Sequence, residues 1–256
     1  MSKNKTKNSP RILFYDIESA PALGWVWGIW EQDVIEIEQD WFMLSFAYKW
    51  EGEKTVLVRS LPEFKAYKKD KINDCELVKE LWKLMDEADI VVGHNVDGFD
   101  NKKANSRFLV HGLKPTAPYK TIDTLKIARK HFKFDSNRLD DLARYLKIGR
   151  KLPTSGKKTW LDCIRGNMKA WSVMTKYNVQ DVRLLYGVHQ KLHPWATNYL
   201  NMAVYVGEDG LCPHCTKDSL QKRGPGYTKT GVHQRFQCQG CYAWSRGKTE
   251  VSVEIR

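Results

Sequence analysis

No apolar run in the sequence approaches the ~20 residues that a membrane-spanning helix needs, which excludes a span of that kind. Residues 1–10 carry Lys3, Lys5 and Lys7 with no apolar stretch behind them. That argues against a secretory signal, and a short solvated basic tail is expected there. Cysteine is sparse: six in 256 residues, four of them in two C-x-x-C pairs. A secreted disulfide scaffold would be shorter and denser in cysteine, so a metal site in a reducing, cytoplasmic compartment is expected instead. Beyond the N-terminal tail there is no low-complexity tract, and no long internal repeat is found. Acidic residues are outnumbered, 30 against 42 Lys and Arg, leaving a net charge of +12 and a pI near 9.3. Such a balance favours a polyanionic partner, because each cation placed on a phosphate releases condensed counterions.

What the chain does contain is the material of a globular α/β protein: 42% apolar residues, enough length to bury a core, and strand patterns that alternate with helical ones. Residues 11–17 (RILFYDI), 41–50 and 54–59 read as strands, the last two around the turn Glu51-Gly52-Glu53. From Asp74 to Ala88 the residues Leu77, Val78, Leu81, Leu84 and Met85 repeat at helical spacing, with Asp74 as N-cap, and residues 90–92 follow as a strand. Further amphipathic helical stretches are expected over about 100–111, 121–131, 138–146 and 169–192, the last stopped by Pro194. Residues 147–158, with Pro153, Ser155, two glycines and several cations, read as an exposed loop. From Gly207 onward the periodicity fails and the cysteines cluster, placing a boundary at 203–210. The expected organisation is a tail over 1–10, a main domain over 11–203 and a small cysteine module over 204–256.

Three short elements carry acids. Asp16 and Glu18 lie two residues apart at the end of the first strand, so the strand's period of two points both carboxylates to one face, where they repel unless a cation sits between them. Gly93–Asp100 (GHNVDGFD) runs from a strand into a helix and offers Asp97 and Asp100, either of which also suits a helix cap. Tyr177 and Asp181 stand four apart within the long helix, with Cβ atoms roughly 6 Å apart on one face.

Taken in order, D-x-E, N-x-x-x-F-D and Y-x-x-x-D resemble the motif set of the DEDD superfamily of 3′→5′ exonucleases, in the tyrosine-bearing branch that includes the proofreading domains of family-B DNA polymerases. The resemblance covers roughly residues 11–195 and implies a ribonuclease-H-like mixed sheet flanked by helices. Asp16 and Glu18 fall on its first motif, Asn95, Phe99 and Asp100 on its second, and Tyr177 and Asp181 on its third. It implies that Asp16, Glu18, Asp100 and Asp181 hold two Mg²⁺ or Mn²⁺ ions, hard cations that take oxygen ligands, with Tyr177 orienting the attacking water. The match at Phe99-Asp100 favours Asp100 over Asp97, and Asp123 is expected to be structural. Asn95 and Phe99 are candidates for contact with the terminal nucleotide, although a core place for Phe99 fits equally well. Trp25, Trp27 and Trp30 offer stacking surfaces for unpaired bases, with at least some of them expected in the core. His94 is expected to be structural.

Cys212, Cys215, Cys238 and Cys241 have the spacing of a closed tetrahedral Zn²⁺ site, which leaves no position for water and is structural rather than catalytic. The segment resembles the zinc ribbons of nucleic-acid-processing proteins. Lys222, Arg223, Tyr227, Lys229 and Arg235 are its candidates for phosphate and base contact, against a protein-docking or purely stabilising role. The leading expectation is a two-metal 3′→5′ exonuclease acting on nucleic acid, DNA favoured over RNA, in a bacterial or phage-infected cytoplasm beside replication or repair proteins. The alternatives are a structure-selective endonuclease or resolvase, an RNA exonuclease, and an inactive nucleic-acid-binding protein.

Overall fold

The computed structural model describes residues 9–30, 33–197 and 199–252; most of the expected basic tail, residues 1–8, lies outside them. The chain divides into two compact units, one of residues 11–126 with 136–188, the other built mainly from 127–135 and the chain from 189 on.

The chain opens with β1 (Ile12–Ser19), then a two-stranded antiparallel arm, β2 (Leu23–Trp25) and β3 (Glu36–Gln39), then β4 (Met43–Trp50) and β5 (Leu57–Ser60). After α1 (Ala66–Lys69) and α2 (Cys75–Asp86) come β6 (Ile90–Gly93), α3 (Asp100–Val110), β7 (Lys120–Asp123) and α4 (Thr124–His131), with α5 (Leu139–Tyr145), α6 (Lys157–Ile164) and the long α7 (Met168–Leu192) closing the series. Five of these strands form one sheet in the order β5-β4-β1-β6-β7. β4 runs antiparallel to β1 and β5, while β6 is parallel to β1 and β7, so the sheet is mixed and β1 lies at its centre.

Strand alternation splits β1 between two faces. Leu13, Tyr15 and Ile17 enter the main core with Leu44 and Phe46 of β4, and with Leu77, Val78, Leu81 and Met85 of α2. Those four α2 residues are fully buried, as their helical spacing predicts, and each contributes about 1.5–3 kcal/mol of transfer free energy. A charge at Leu81 would have no partner there and would break the packing. The other face of β1 carries Phe14, Asp16 and Glu18. Phe14 meets Tyr186 of α7 edge-on, with ring centroids 5.0 Å apart, which lays α7 along the acid-bearing face.

The strands and helices expected from periodicity are present, with three differences. Residues 121–131 are not one helix, because Lys120–Asp123 pair with β6 as an edge strand before α4 begins. The basic loop ends earlier than expected, at Gly156, where α6 starts. The arm β2–β3 has no counterpart in the sequence reading, since its strands are only three and four residues long.

The smaller unit holds α8 (Met202–Val206) and a three-stranded antiparallel sheet of β8 (Leu220–Tyr227), β9 (Gly231–Cys238) and β10 (Trp244–Ser252), with β9 in the middle. No helix among the described residues is long and apolar enough to cross a membrane.

Candidate active site

The outer end of β1 and the middle of α7 bring Asp16, Glu18 and Asp181 together: one carboxylate oxygen from each lies within 4.8 Å of the others. Asp100 joins from a third element. β1 outruns β6, whose last pair with it is Phe14 with Val92, and beyond that pair the Ile17 N–H donates to Asp100 Oδ1 at 3.1 Å. Asp100, the first residue of α3, is thus tied to the backbone between Asp16 and Glu18. The oxygen grouping itself consists of Asp16, Glu18 and Asp181, and Asp100 stands beside it.

Two further side chains fix these positions. Asn178, fully buried on α7, donates its amide to Asp16 Oδ2 at 2.8 Å and to the Asp16 carbonyl at 3.2 Å, and accepts from Ser45 Oγ at 3.1 Å. Ser45 is the β4 partner of Glu18, so the amide spans β1 and β4. Trp160 of α6 donates its indole N–H to Glu18 Oε2 at 3.1 Å and packs edge-on against the Tyr177 ring. Lys151 closes the group from the basic loop, donating to Asp181 Oδ2 at 2.6 Å and to the Tyr177 hydroxyl at 2.8 Å. The sequence reading missed Lys151, Trp160 and Asn178. For Asn178 a signal existed, because it lies between Tyr177 and Asp181 on a helix whose face was already assigned. Lys151, in a loop full of cations, carried none.

Crowding of acids in a desolvated volume has the expected electrical result. Burial, then the charges of Asp100, Glu18 and Asp181, hold the Asp16 pKa well above the carboxylate range. Burial and Asp181 push Glu18 up to about 8, and burial pushes Asp100 up to about 7 against the downward pull of the Ile17 N–H. Burial raises Asp181 as well, with Lys151 opposing it. Lys151 is itself drawn downward by burial, but Asp181 and Tyr177 outweigh this and its pKa rises. Tyr177 is raised to about 12 by burial and by Asp181, so it stays a neutral phenol near pH 7.

A cluster of this kind is suited to divalent cations. Carboxylates are the oxygen donors that hard ions select, and Asp181 Oδ1 is buried without a hydrogen-bond partner among the described residues. A bound cation would supply the missing partner and offset the mutual repulsion.

The neighbouring candidates are placed as follows. Asn95 is exposed at positive φ, and its side-chain oxygen lies 2.6 Å from where a Cβ on Gly98 would fall, so a larger residue at 98 would displace the Asn95 side chain. Phe99 is 42% exposed, which removes its core reading. Asp97 pairs with Lys126 at 2.6 Å, away from the acid cluster. Asp123 accepts from the backbone N–H of Asn95 and Leu125, both at 2.9 Å, which is structural capping. His94 bridges Thr124 Oγ1 and the Asn137 carbonyl, both at 2.9 Å. Trp25, Trp27 and Trp30 are 62%, 91% and 81% exposed, so the expectation that some of them lie in the core is wrong.

In the smaller unit Cys212, Cys215, Cys238 and Cys241 form a second grouping, their sulfurs within 4.8 Å of one another. The sulfurs of Cys212 and Cys241, and those of Cys215 and Cys238, are 3.7 Å apart, far beyond a disulfide bond. Two matching turns present them. After Cys215 and after Cys241 the next residues, Thr216 and Tyr242, take positive φ and return their N–H to the carbonyls of Cys212 and Cys238 at 2.9 Å. The N–H groups of His214 and Gly240 point at the sulfurs of Cys212 and Cys238. Burial raises the Cys238 pKa, but Ser219 and the surrounding backbone N–H groups outweigh it and bring the thiol down to about 6. Four thiols converging on N–H-lined turns suit a tetrahedral metal. Lys222, Arg223, Tyr227, Lys229 and Arg235 all lie exposed on the β8–β9 hairpin.

A model of the RNase H superfamily matches residues 38–193. The chain belongs to the RNase H superfamily. The matched span contains Asp100, Tyr177 and Asp181 but begins after Asp16 and Glu18, which the sheet brings to the same place. No curated protein matches the chain in sequence. Among solved structures, the family B DNA polymerase from the hyperthermophilic archaeon Pyrobaculum calidifontis is similar in fold, with a TM-score of 0.53 at 15% identity over 87% of this chain. The match spans 32% of the polymerase, so it covers about a third of that longer protein.

Proposed function

We propose that this chain is a metal-dependent 3′→5′ exonuclease that hydrolyses phosphodiester bonds at the 3′ end of single-stranded DNA. The observation that carries the reading is the convergence of Asp16 and Glu18 from β1 with Asp181 from α7, within 4.8 Å, beside Asp100 and one helical turn from Tyr177. The tyrosine four residues before the last acid, in this order of motifs, supports the 3′→5′ direction. The solved structure that shares the fold is a DNA polymerase, which supports DNA.

Asp16, Glu18, Asp100 and Asp181 would hold two Mg²⁺ or Mn²⁺ ions. When bound, such ions lower the pKa of water and stabilise charge on the departing 3′ oxygen. The chain's own residues then do the following. Tyr177, neutral and held by Lys151, accepts a hydrogen bond from the attacking water and aims it at phosphorus. Lys151, 2.6 Å from Asp181, opposes the upward pull of burial on that carboxyl and so favours its ionised form. Trp160 and Asn178 hold Glu18 and Asp16 in fixed rotamers, so the acids are in place before substrate arrives. Asn95 and Phe99, exposed at the entrance to α3, bound the terminal nucleotide. The four cysteines would hold one structural Zn²⁺, and the cations of the β8–β9 hairpin would contact the strand backbone.

The test is a time course on 5′-labelled DNA and RNA oligomers with and without Mg²⁺ or Mn²⁺. A ladder shortening from the 3′ end, absent without the ions, is expected with DNA. Cleavage of a closed circular single strand would replace the exonuclease reading with an endonuclease one.

A further inference from the structure

We propose that the β2–β3 arm, residues 23–40, is a docking element whose occupant is a second copy of this chain. The arm leaves the sheet directly after the strand that carries Asp16 and Glu18, and the acid site does not use it. Nine large apolar side chains on it are exposed, from Leu23 and Trp25 through Trp27, Ile29 and Trp30 to Ile37. Three exposed tryptophans alone present roughly 400 Å², as much as the largest apolar patch on a typical monomer (about 300–600 Å²). A two-stranded arm of three- and four-residue strands has no core to explain such residues.

Charge identifies the occupant. The described residues of the arm include Asp33, Glu36, Glu38 and Asp40 and no Lys or Arg, a local charge of −4. With the whole chain at +12, the remainder carries +16. Base stacking on the tryptophans would bring phosphates against these acids, which opposes a nucleic-acid occupant within a Debye length of about 8–10 Å. A surface that is both basic and apolar suits the arm, and the same unit supplies one. At the end of α3, Leu109 is 79% and Val110 is 66% exposed, with Lys102 and Lys114 exposed nearby. Neither face satisfies itself, and each has the chemistry the other lacks. In a twofold dimer the contact occurs twice, arm of one copy on α3 of its partner. The tryptophans of both arms then bury roughly 800 Å², and the covered helices bring the total toward the ~1,600 Å² of a stable interface.

Sedimentation velocity on the full chain across the micromolar range, at low and high salt, tests this. The wild type is expected to dimerise, more weakly at high salt. Trp27→Ser with Trp30→Ser, Glu36→Lys with Glu38→Lys, and Leu109→Ser with Val110→Ser are each expected to raise the dimer dissociation constant at least tenfold. These positions are exposed, and unchanged circular dichroism confirms folding. A wild type that stays monomeric, or a dimer indifferent to the arm substitutions, overturns the proposal. So does a monomeric chain whose tryptophan fluorescence is quenched by oligo(dT) only while Trp27 and Trp30 are present, since the occupant is then a nucleic acid. None of these readouts depends on nuclease activity.

Discussion

Withdrawing and restoring divalent ions at different pH values tests whether the acid cluster is built around cations. Burial, joined by the charge of Asp181, raises the Glu18 carboxyl from 4.5 to about 8. A carboxyl with a folded pKa above its unfolded one binds its proton more tightly when folded. Its contribution to stability is complete below the unfolded value and is lost as pH rises through the folded one. For Glu18 the window runs from about pH 4.5 to about pH 8, and the loss across it is on the order of 5 kcal/mol at about 1.36 kcal/mol per pH unit. Asp100, raised from 3.8 to about 7, loses its share lower in the same range. Because these acids repel one another their losses do not add, and the total stays at several kcal/mol. Domains of this kind are stable by only about 5–15 kcal/mol, so the loss is large enough to measure. Urea unfolding followed by tryptophan fluorescence, in buffer free of Mg²⁺ and Mn²⁺ with zinc content verified, is expected to show stability falling from about pH 6.5 to pH 8, above the range in which the buried, neutral His189 and His193 add stability as pH rises. Millimolar Mn²⁺ is expected to flatten the slope by binding the ionised cluster. Stability that stays level or rises over that range without ions, or that ignores Mn²⁺ at pH 8, would refute the reasoning.

Asp16→Ala and Asp181→Ala are expected to abolish cleavage in metal-replete buffer while circular dichroism stays native; full activity of either variant removes the mechanism. Tyr177→Phe keeps the ring against Trp160 and loses only the hydroxyl, so cleavage is expected to slow by less than the ~10²–10⁴-fold range of general acid–base groups. Lys151→Met removes the cation 2.6 Å from Asp181 and is expected to move the acidic limb of the rate–pH profile upward; an unmoved limb means Asp181 does not govern it. Cys238→Ser is expected to drop the zinc content from one per chain and to unfold the β8–β10 sheet, measured by metal analysis and near-UV circular dichroism. Lys222→Ala with Arg223→Ala is expected to lower the slope of log affinity against log salt by about 0.7 per cation lost on single-stranded DNA; an unchanged slope places the β8–β9 hairpin off the strand.

The acid-bearing strand and helix were legible because each depends on a local period: two for Asp16 and Glu18, four for Tyr177 and Asp181. The cysteine grouping was legible for a similar reason, as a C-x-x-C turn needs no distant partner to be recognised. Periodicity could not show β7, four residues long with no alternation, whose strand form comes from pairing with β6. Nor could it show Lys151. In sequence it is one cation among several in a polar loop, and only the fold reveals that it is the one laid against Asp181. The tryptophans of the arm failed for the opposite reason: aromatic residues are ordinarily assigned to a core, and here the local strands are too short to make one.

Asn178 works as an index pin. An α-helix turned by one residue rotates about 100°, enough to swing Tyr177 and Asp181 off the sheet entirely. An amide engaged with Asp16 on one strand and Ser45 on the next permits one setting of α7 about its axis. Leucine at this position would fill the space yet free the helix to settle at another angle. The alignment of the whole acid cluster thus rests on a buried side chain that carries no charge.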